Sequence, residues 1–264
     1  MHGIELRLGT AYELVEPLQT RKKTAYRGDI RTGNDRVTAI LKLLKLEDIA
    51  REALCWTLAR LLGLPTPQAF LVQVDPSVVK GRFSGNFLHL AFGSEEIRRV
   101  FRDPGKSEMI ALRNWRLAID CAVFDTWIHC EDRYPNNLLI DVHDNFWLID
   151  HEEALPNFAN FDSESKSTLF QILKEGLSEF ELRSMKRSAE IFATRCRNLD
   201  LVKLQELIFD KCVDESFRNP VAGHLEFLKN RCTVLPELIA KEFSFRQKPF
   251  VLDDDVREEM ERYE

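Results

Sequence analysis

Three residues with side-chain oxygens, Asp132, Asn137 and Asp150, have a spacing that could support metal-dependent chemistry. Asp132 follows a long apolar stretch, Asn137 begins a short apolar run, and Asp150 ends a second one. The turn sequence His-Asp-Asn at 143–145 separates these two runs, which predicts a β-hairpin. In an antiparallel hairpin, the start of the first strand lies beside the end of the second. We therefore expect Asn137 and Asp150 to meet, with Asp132 close by.

The chemistry that this set would support is phosphoryl transfer. Asn137 and Asp150 offer the oxygen ligands that suit Mg²⁺, which normally keeps water and substrate phosphates as its other ligands. The carboxylate of Asp132 could then position an attacking hydroxyl group. A structural alternative is a polar loop that caps a helix, with Asp150 merely closing the hairpin. Three acceptors that converge through one hairpin favour the functional interpretation.

The first part of the chain, residues 1–93, has the sequence patterns of strands. Apolar and β-branched runs predict strands around Leu14-Val15 and at 37–44, 70–74 and 86–92. A helix is predicted at 48–62, because leucines line one face and Gly63 with Pro65 ends the pattern. We therefore expect a small β-rich N-lobe that spans residues 1–93.

The remainder of the chain, residues 94–264, is predicted to be mainly helical. Residues 108–130 are apolar almost all round a helix, which predicts one long helix in the middle of a larger C-lobe. Ser178-Glu179-Phe180-Glu181 has the spacing of a capping box, and Asn219-Pro220 suits an N-cap followed by a first-turn proline. The predicted fold class is α+β, with helices and the candidate site in the C-lobe.

Composition argues against several classes of protein. The formal net charge of −6 argues against a nucleic-acid partner. The longest apolar stretch, residues 110–128, contains two arginines and two aspartates, so no membrane span or membrane partner is predicted. The N-terminus lacks the apolar segment of a secretory signal, and the six cysteines include no C-x-x-C pair. We expect a reduced, cytoplasmic protein.

The motif at 132–137, Asp-Arg-Tyr-Pro-Asn-Asn, resembles the catalytic loop of protein-kinase-like enzymes, particularly phosphoinositide kinases and HipA-like kinases. Leu-Ile-Asp-His at 148–151 resembles the HipA-like set most closely. Three upstream segments resemble that group's phosphate loop, its lysine strand, and its first helix with the turn that follows. They are Lys-Lys-Thr-Ala-Tyr at 22–26, Ala-Ile-Leu-Lys-Leu at 39–43, and Glu-Ala-Leu-Cys with Leu-Gly-Leu-Pro-Thr-Pro at 52–55 and 62–67. The resemblance covers about residues 12–155.

This resemblance implies a bilobal protein-kinase-like fold that uses ATP and Mg²⁺. Asp132 would be the catalytic residue that orients and deprotonates the acceptor hydroxyl. Asn137 and Asp150 would hold Mg²⁺ against the ATP phosphates. Lys42 would contact the α- and β-phosphates, and Glu52 would hold Lys42 in place. The competing interpretation of Lys42 and Glu52 is an ordinary surface lysine and a solvated helix face.

The phosphate loop departs from the G-x-G-x-x-G pattern of many kinases. Backbone amides at 18–24 would have to cradle the phosphates, with the basic side chains of Arg21, Lys22 and Lys23 nearby. The hydroxyl groups of Thr20 and Thr24 could reach the phosphates or be sites of autophosphorylation. A basic run on a solvated face is the alternative.

A second departure lies in the catalytic loop, where the family's histidine is Tyr134 in this chain. The role of that imidazole is therefore lost, or is taken over by His129 or His151.

For the lysine that contacts the phosphates, Lys45 is the alternative to Lys42, although it projects to the opposite side of the predicted strand.

The leading hypothesis is an ATP- and Mg²⁺-dependent phosphotransferase, a HipA-like serine/threonine protein kinase. Its partner would be a protein substrate bearing a Ser or Thr hydroxyl. One alternative is a nucleotide-binding pseudokinase, a regulatory interaction module whose ATP site is regulatory and which would bind a regulatory protein partner. Another is a small-molecule or lipid kinase.

Overall fold

The computed structural model describes residues 5–18, 25–78, 89–98, 106–133, 137–156, 160–211 and 215–244. Five strands in these ranges belong to one sheet. They are β1 (Arg7–Leu18), β2 (Ala25–Thr32), β3 (Asp35–Lys42), β4 (Ala69–Val74) and β5 (His89–Glu95). These strands form a closed barrel in the order β1-β2-β3-β5-β4.

The barrel closes through a parallel contact between β1 and β4, while its other neighbouring strands are antiparallel. Its interior is filled by fully buried apolar side chains, including Ile30, Leu41, Phe70 and Val72. Position 93 of β5 requires a glycine, because a Cβ atom there would lie only 2.9 Å from the side chain of Leu41 in the barrel interior. β5 pairs with the end of β3, where the predicted site residue Lys42 lies opposite Phe92.

Sequence patterns predicted β3 and β4 closely, but they missed β2 and most of β1. β2 contains Arg27, Gly28 and Asp29, which interrupt its apolar alternation. The strand is nevertheless held on both sides, because it pairs with β1 along one edge and with β3 along the other. The strand predicted at 86–92 overlaps β5, and residues 86–88 lie outside the described part of the chain.

A single helix, α1 (Leu46–Leu61), lies between β3 and β4 and agrees with the helix predicted at 48–62. Residues 49–59 of this helix are all buried. Gly63 follows it with φ 78°, a left-handed conformation that glycine adopts without a steric penalty. Lys45, just before α1, is exposed.

The long helix predicted at 108–130 is wrong, because the chain forms two helices there. They are α2 (Lys106–Asn114) and α3 (Ala118–Ile128). The break is stabilised by Trp115, whose ring stacks on the ring of Phe146 with centroids 4.9 Å apart. The apolar pattern of the sequence continues through this break, so the pattern did not predict the break. Most of α3 is buried, as the pattern predicted.

The hairpin predicted around the turn at 143–145 is present as β6 (Leu138–Ile140) and β7 (Phe146–Leu148), which pair antiparallel. Four helices follow in the described part of the chain. They are α4 (Thr168–Lys174), α5 (Glu179–Arg197), α6 (Leu201–Phe209) and α7 (Glu215–Glu242). The predicted capping box is confirmed, since Ser178 and Glu181 exchange side-chain and backbone hydrogen bonds at the start of α5.

The helix start predicted at Asn219-Pro220 is wrong, because Pro220 lies inside α7. Buried Phe217 and Val221 flank the proline, and their packing holds the helix on both sides of the missing N–H group. None of the described helices has the length and apolarity needed to cross a lipid bilayer. The cysteines of the described ranges are all free.

Candidate active site

The ion pair between Lys42 and Glu52 lies where the barrel meets α1. Lys42 is the last residue of β3, and its Nζ atom lies 2.7 Å from Oε1 of Glu52, in the second turn of α1. The expected contact between these two side chains is therefore present. The other carboxylate oxygen, Oε2, accepts a hydrogen bond from the backbone N–H of His151 at 3.0 Å. Glu52 thus connects the barrel, α1 and the segment after the hairpin.

Burial and charge act in opposite directions on Glu52. Its side chain is only 1 % exposed. Burial raises the pKa of Glu52, but the Lys42 ammonium and the hydrogen bond from His151 outweigh it, so the pKa lies well below its ordinary value. Glu52 is therefore a carboxylate at neutral pH, available to hold a cation.

Lys42 has two further carboxylate partners. Its Nζ atom lies 2.9 Å from Oδ1 of Asp150 and 3.2 Å from Oε1 of Glu152. Burial lowers the pKa of Lys42, but the three carboxylates raise it by more. The pKa of Lys42 therefore lies above its ordinary value. Asp150 is thus brought to Lys42 as well as to the hairpin end. Glu152 was not among the predicted site residues.

The hairpin register brings Asn137 and Asp150 to the same end. Leu138 pairs with Leu148, and the carbonyl of Asn137 accepts a hydrogen bond from the N–H of Ile149 at 3.1 Å. Asp150 comes next along the chain and has φ 57°, a left-handed conformation that aspartate tolerates better than most residues. The candidate metal ligand therefore directly follows the last backbone hydrogen bond of the hairpin.

The opposite end of the hairpin is organised by Asp141, a residue that sequence reasoning missed. One carboxylate oxygen accepts the backbone N–H groups of His143 and Asn145 at 2.8 and 2.9 Å, and the other accepts Nε1–H of Trp147 at 3.0 Å. Burial raises the pKa of Asp141, but these hydrogen bonds lower it to about 2. The turn thus spans 141–145 rather than 143–145, and its charged anchor fixes the register.

Asp132 and Asn137 are joined directly. Nδ2 of Asn137 donates to Oδ2 of Asp132 at 2.9 Å and to its backbone carbonyl at 3.0 Å. Asp132 itself is exposed. This arrangement directs the amide nitrogen of Asn137 to Asp132 and leaves its side-chain oxygen for another partner. An exposed carboxylate beside a potential metal ligand is suited to meet an incoming hydroxyl group.

Arg133 connects α3 with both ends of the hairpin, and this role was not predicted. Its fully buried guanidinium donates to both carboxylate oxygens of Asp125, on α3, at 2.9–3.2 Å. Its Nη1 donates to the carbonyls of Asn137 at 3.3 Å and Ile149 at 2.6 Å. One side chain therefore ties α3 to both strands of the hairpin. The signal in the sequence was a charged residue, Asp125, within an apolar helix.

The two histidines that could replace the family's loop histidine have different surroundings. His129 ends α3 with φ 54°, and its Nε2 lies 3.8 Å from the Glu131 carboxylate. His151 is buried, with Nδ1 3.3 Å from Glu52. Burial and the Arg133 charge lower the pKa of His151, so its ring is neutral at pH 7 and can donate from Nδ1 to Glu52. Tyr134 lies outside the described residues, as do Thr20, Lys23 and Thr24 of the predicted phosphate loop.

A cavity of about 530 Å³ lies between the barrel and the hairpin. The charged side chains of Lys42, Glu52 and Asp150 line it together with apolar side chains from both sides. The apolar lining includes Ile40, Trp56, Phe92, Leu139 and Leu148. A volume of about 300–1,000 Å³ is typical of small-molecule and cofactor sites, so this cavity is large enough for a nucleotide.

Oxygen atoms that could hold a cation cluster beside the cavity. Carboxylate oxygens of Glu52, Asp150 and Glu152 lie within 4.8 Å of one another, and the ammonium of Lys42 contacts all three residues. Asp150 is the most accessible of them, with 34 % of its side chain exposed. The side-chain oxygen of Asn137 and the carboxylate of Asp150 are both oxygen donors of the kind that Mg²⁺ prefers.

The fold and this site define a kinase-type phosphotransferase. Residues 39–214 match the family described as HipA-like kinase, so the chain belongs to the HipA-like kinase family. The resemblance read from the sequence is thereby confirmed. Among solved structures, the chain is similar to the crystal structure of a Helicobacter pylori proinflammatory kinase, CtkA, at 12 % identity and a TM-score of 0.54. The similarity covers 87 % of this chain and 96 % of that chain, and it shows a kinase-like fold. No curated protein matches the chain.

Proposed function

We propose that this protein is an ATP- and Mg²⁺-dependent serine/threonine protein kinase with a bilobal architecture. The observation that carries the proposal is the contact network of Lys42, Glu52 and Asp150 on the wall of the 530 Å³ cavity. A lysine paired with a helix glutamate, beside an aspartate at the end of a hairpin, is the arrangement with which kinases position nucleotide phosphates. Membership of the HipA-like kinase family supports the same reaction class.

Each site residue then has a role toward the nucleotide. Lys42 would bind the α- and β-phosphates, and Glu52 would keep its ammonium in position. Asn137 and Asp150 would hold Mg²⁺, which neutralises phosphate charge when it is bound. The apolar side chains of the cavity would surround the adenine. Thr20, Lys23 and Thr24 remain the proposed phosphate-loop contacts.

Asp132 would act on the acceptor rather than on ATP. Its exposed carboxylate would accept the proton of a Ser or Thr hydroxyl as the hydroxyl oxygen attacks the γ-phosphorus and the bond to ADP breaks. The hydrogen bond from Asn137 keeps this carboxylate beside the proposed metal ligand. Arg133 keeps the loop rigid without touching substrate, so it is a positioning residue.

The proposal is tested by comparing the wild type with Asp132→Ala in the presence of Mg²⁺, γ-labelled ATP and a protein extract. We expect the variant to bind ATP with unchanged affinity but to transfer label roughly 10²–10⁴-fold more slowly, because a general base is lost. Glu131→Ala is the matched control, since Glu131 is the adjacent exposed carboxylate, and it should retain full transfer.

The outcomes separate the alternatives. ATP binding without label transfer or ADP release in the wild type would indicate a pseudokinase that acts on a regulatory protein partner. Label that appears in small molecules or lipids, and not in protein, would indicate a small-molecule or lipid kinase. Equal transfer by Asp132→Ala and the wild type would contradict the catalytic assignment.

A further inference from the structure

Glu152 is a third carboxylate on Lys42, and the proposed nucleotide chemistry leaves it without a role. Its Oε1 lies 3.2 Å from the lysine Nζ, and only 9 % of its side chain is exposed. Its backbone carbonyl accepts a hydrogen bond at 2.8 Å from Nη1 of Arg51, a buried residue of α1. Glu152 is therefore fixed at the site by the main chain as well as by its ion pair.

Three carboxylates surround the ammonium of Lys42. In the part of the chain that the structure describes, the side chains of Lys42, Glu52, Asp150 and Glu152 together carry one positive and three negative charges, a net charge of −2. In the proposed function, the phosphates of ATP would bind at this point. Like charges at short range repel strongly where burial limits screening by water. A nucleotide without a cation would therefore be opposed by the site that is meant to bind it.

We propose that Glu152 makes nucleotide binding depend on a divalent cation. This inference rests on the proposed function. An ammonium group has three N–H donors, and three carboxylates already surround that of Lys42. An incoming phosphate must displace one of them. A site with one carboxylate fewer would leave a donor for the phosphate and would bind the metal-free nucleotide more readily.

Glu152 is better suited to this role than its two neighbours. Glu52 is nearly inaccessible and also accepts the His151 N–H group, so it stays on Lys42. Asp150 is the accessible carboxylate, and as the proposed cation ligand its charge is offset once the cation binds. The charge of Glu152 remains and competes with phosphate for the ammonium. Glu152 thus penalises nucleotide that arrives without its cation.

The test is calorimetric titration of the full chain with ATP, once in millimolar Mg²⁺ and once in excess EDTA. For the wild type, we expect much tighter binding in Mg²⁺. For Glu152→Gln, we expect affinity in EDTA to rise about tenfold or more, as removal of one charge a few ångströms from the phosphates implies. Affinity in Mg²⁺ should change less, so the ratio of the two affinities should fall.

Two further variants isolate the charge. Glu152→Asp keeps the charge and should keep a ratio close to that of the wild type. Glu153→Gln makes the same chemical change at the adjacent exposed residue and should leave both affinities unchanged. A purely structural role would weaken binding in both conditions and leave the ratio unchanged, which would overturn the inference. So would a rise in the ratio.

Failure of the proposed function gives a different result. A wild type that binds no ATP in Mg²⁺ contradicts the proposed function itself, before any variant is compared. If Glu152→Gln does not fold, a wild-type series in EDTA serves instead. The repulsion predicts that affinity falls from AMP to ADP to ATP, whereas constant or rising affinity would overturn it.

Discussion

Replacing Arg133 with methionine would test how the catalytic loop is held. The substitution keeps a long apolar side chain but removes every N–H group of a fully buried guanidinium. The carboxylate of Asp125 would lose its hydrogen bonds at 2.9–3.2 Å while remaining fully buried. The carbonyls of Asn137 and Ile149 would lose a donor as well. The catalytic loop and the hairpin would thus lose their common anchor.

The expected loss of stability follows from the burial of the pair. Removing one partner of a buried ion pair costs about 3–5 kcal/mol, because the other charge is left uncompensated. The free energy of unfolding of a typical domain is only about 5–15 kcal/mol. At roughly 2–4 °C per kcal/mol for a protein of this size, the melting temperature should fall by roughly 6–20 °C.

Denaturant unfolding of Arg133→Met, Asp125→Asn and the double variant provides the measurement. We expect the double variant to lose less than the sum of the single losses, because neither charge is then left alone. Arg183→Met is the control, since Arg183 forms an exposed ion pair with Glu179 and should lose no more than about 1 kcal/mol. If Arg133→Met is no more destabilised than this control, the guanidinium does not hold the loop.

Two further predictions concern the metal ligand and the pH dependence of stability. Asp150→Asn should abolish Mg²⁺-dependent ATP binding in calorimetry, whereas Asp132→Asn should preserve it; equal losses would contradict the division of roles. His224, in α7, is buried, and this burial together with the Arg51 charge lowers its pKa from 6.5 to about 4. Its contribution to stability is present above pH 6.5 and is lost as pH falls toward 4, because the unfolded chain takes up the proton first. Lowering the pH from about 7 to about 5 should cost about 2 kcal/mol through this residue, and urea unfolding of His224→Gln should show a smaller loss; an identical loss would contradict the assignment.

Contacts between residues that are near in sequence were the predictable part of the site. Asn137 and Asp150 meet because one short hairpin joins them, and turn residues with flanking apolar runs are enough to predict a hairpin. Lys42 and Glu52 lie ten positions apart, at the end of a strand and near the start of the next helix. The hairpin pattern alone was enough to bring Asn137 and Asp150 together, whereas Lys42 and Glu52 were identified from the resemblance to HipA-like kinases.

Contacts between distant segments could not be predicted in this way. His151 and Glu52 lie 99 positions apart, and Arg51 and the Glu152 carbonyl lie 101 apart. No periodic pattern links such pairs, because they depend on how α1 packs against the segment after the hairpin. The break between α2 and α3 was missed for the same reason, since Trp115 lies in this break and stacks on Phe146, a residue 31 positions later, while the apolar pattern continues through the break.

Lys42 and Arg133 show how charge balance separates a functional cation from a structural one. The guanidinium of Arg133 faces a single carboxylate and backbone carbonyls, so its charge is compensated and its donors are used. Among the described residues, the ammonium of Lys42 faces three carboxylates, whose charges exceed its own. An excess of negative charge with limited access to solvent is unfavourable unless a further cation joins it. In the proposed function, a divalent cation would supply that charge at Asp150, the most accessible of the three carboxylates. The local excess of negative charge therefore supports the proposal of Asp150 as a metal ligand, as the hairpin geometry does.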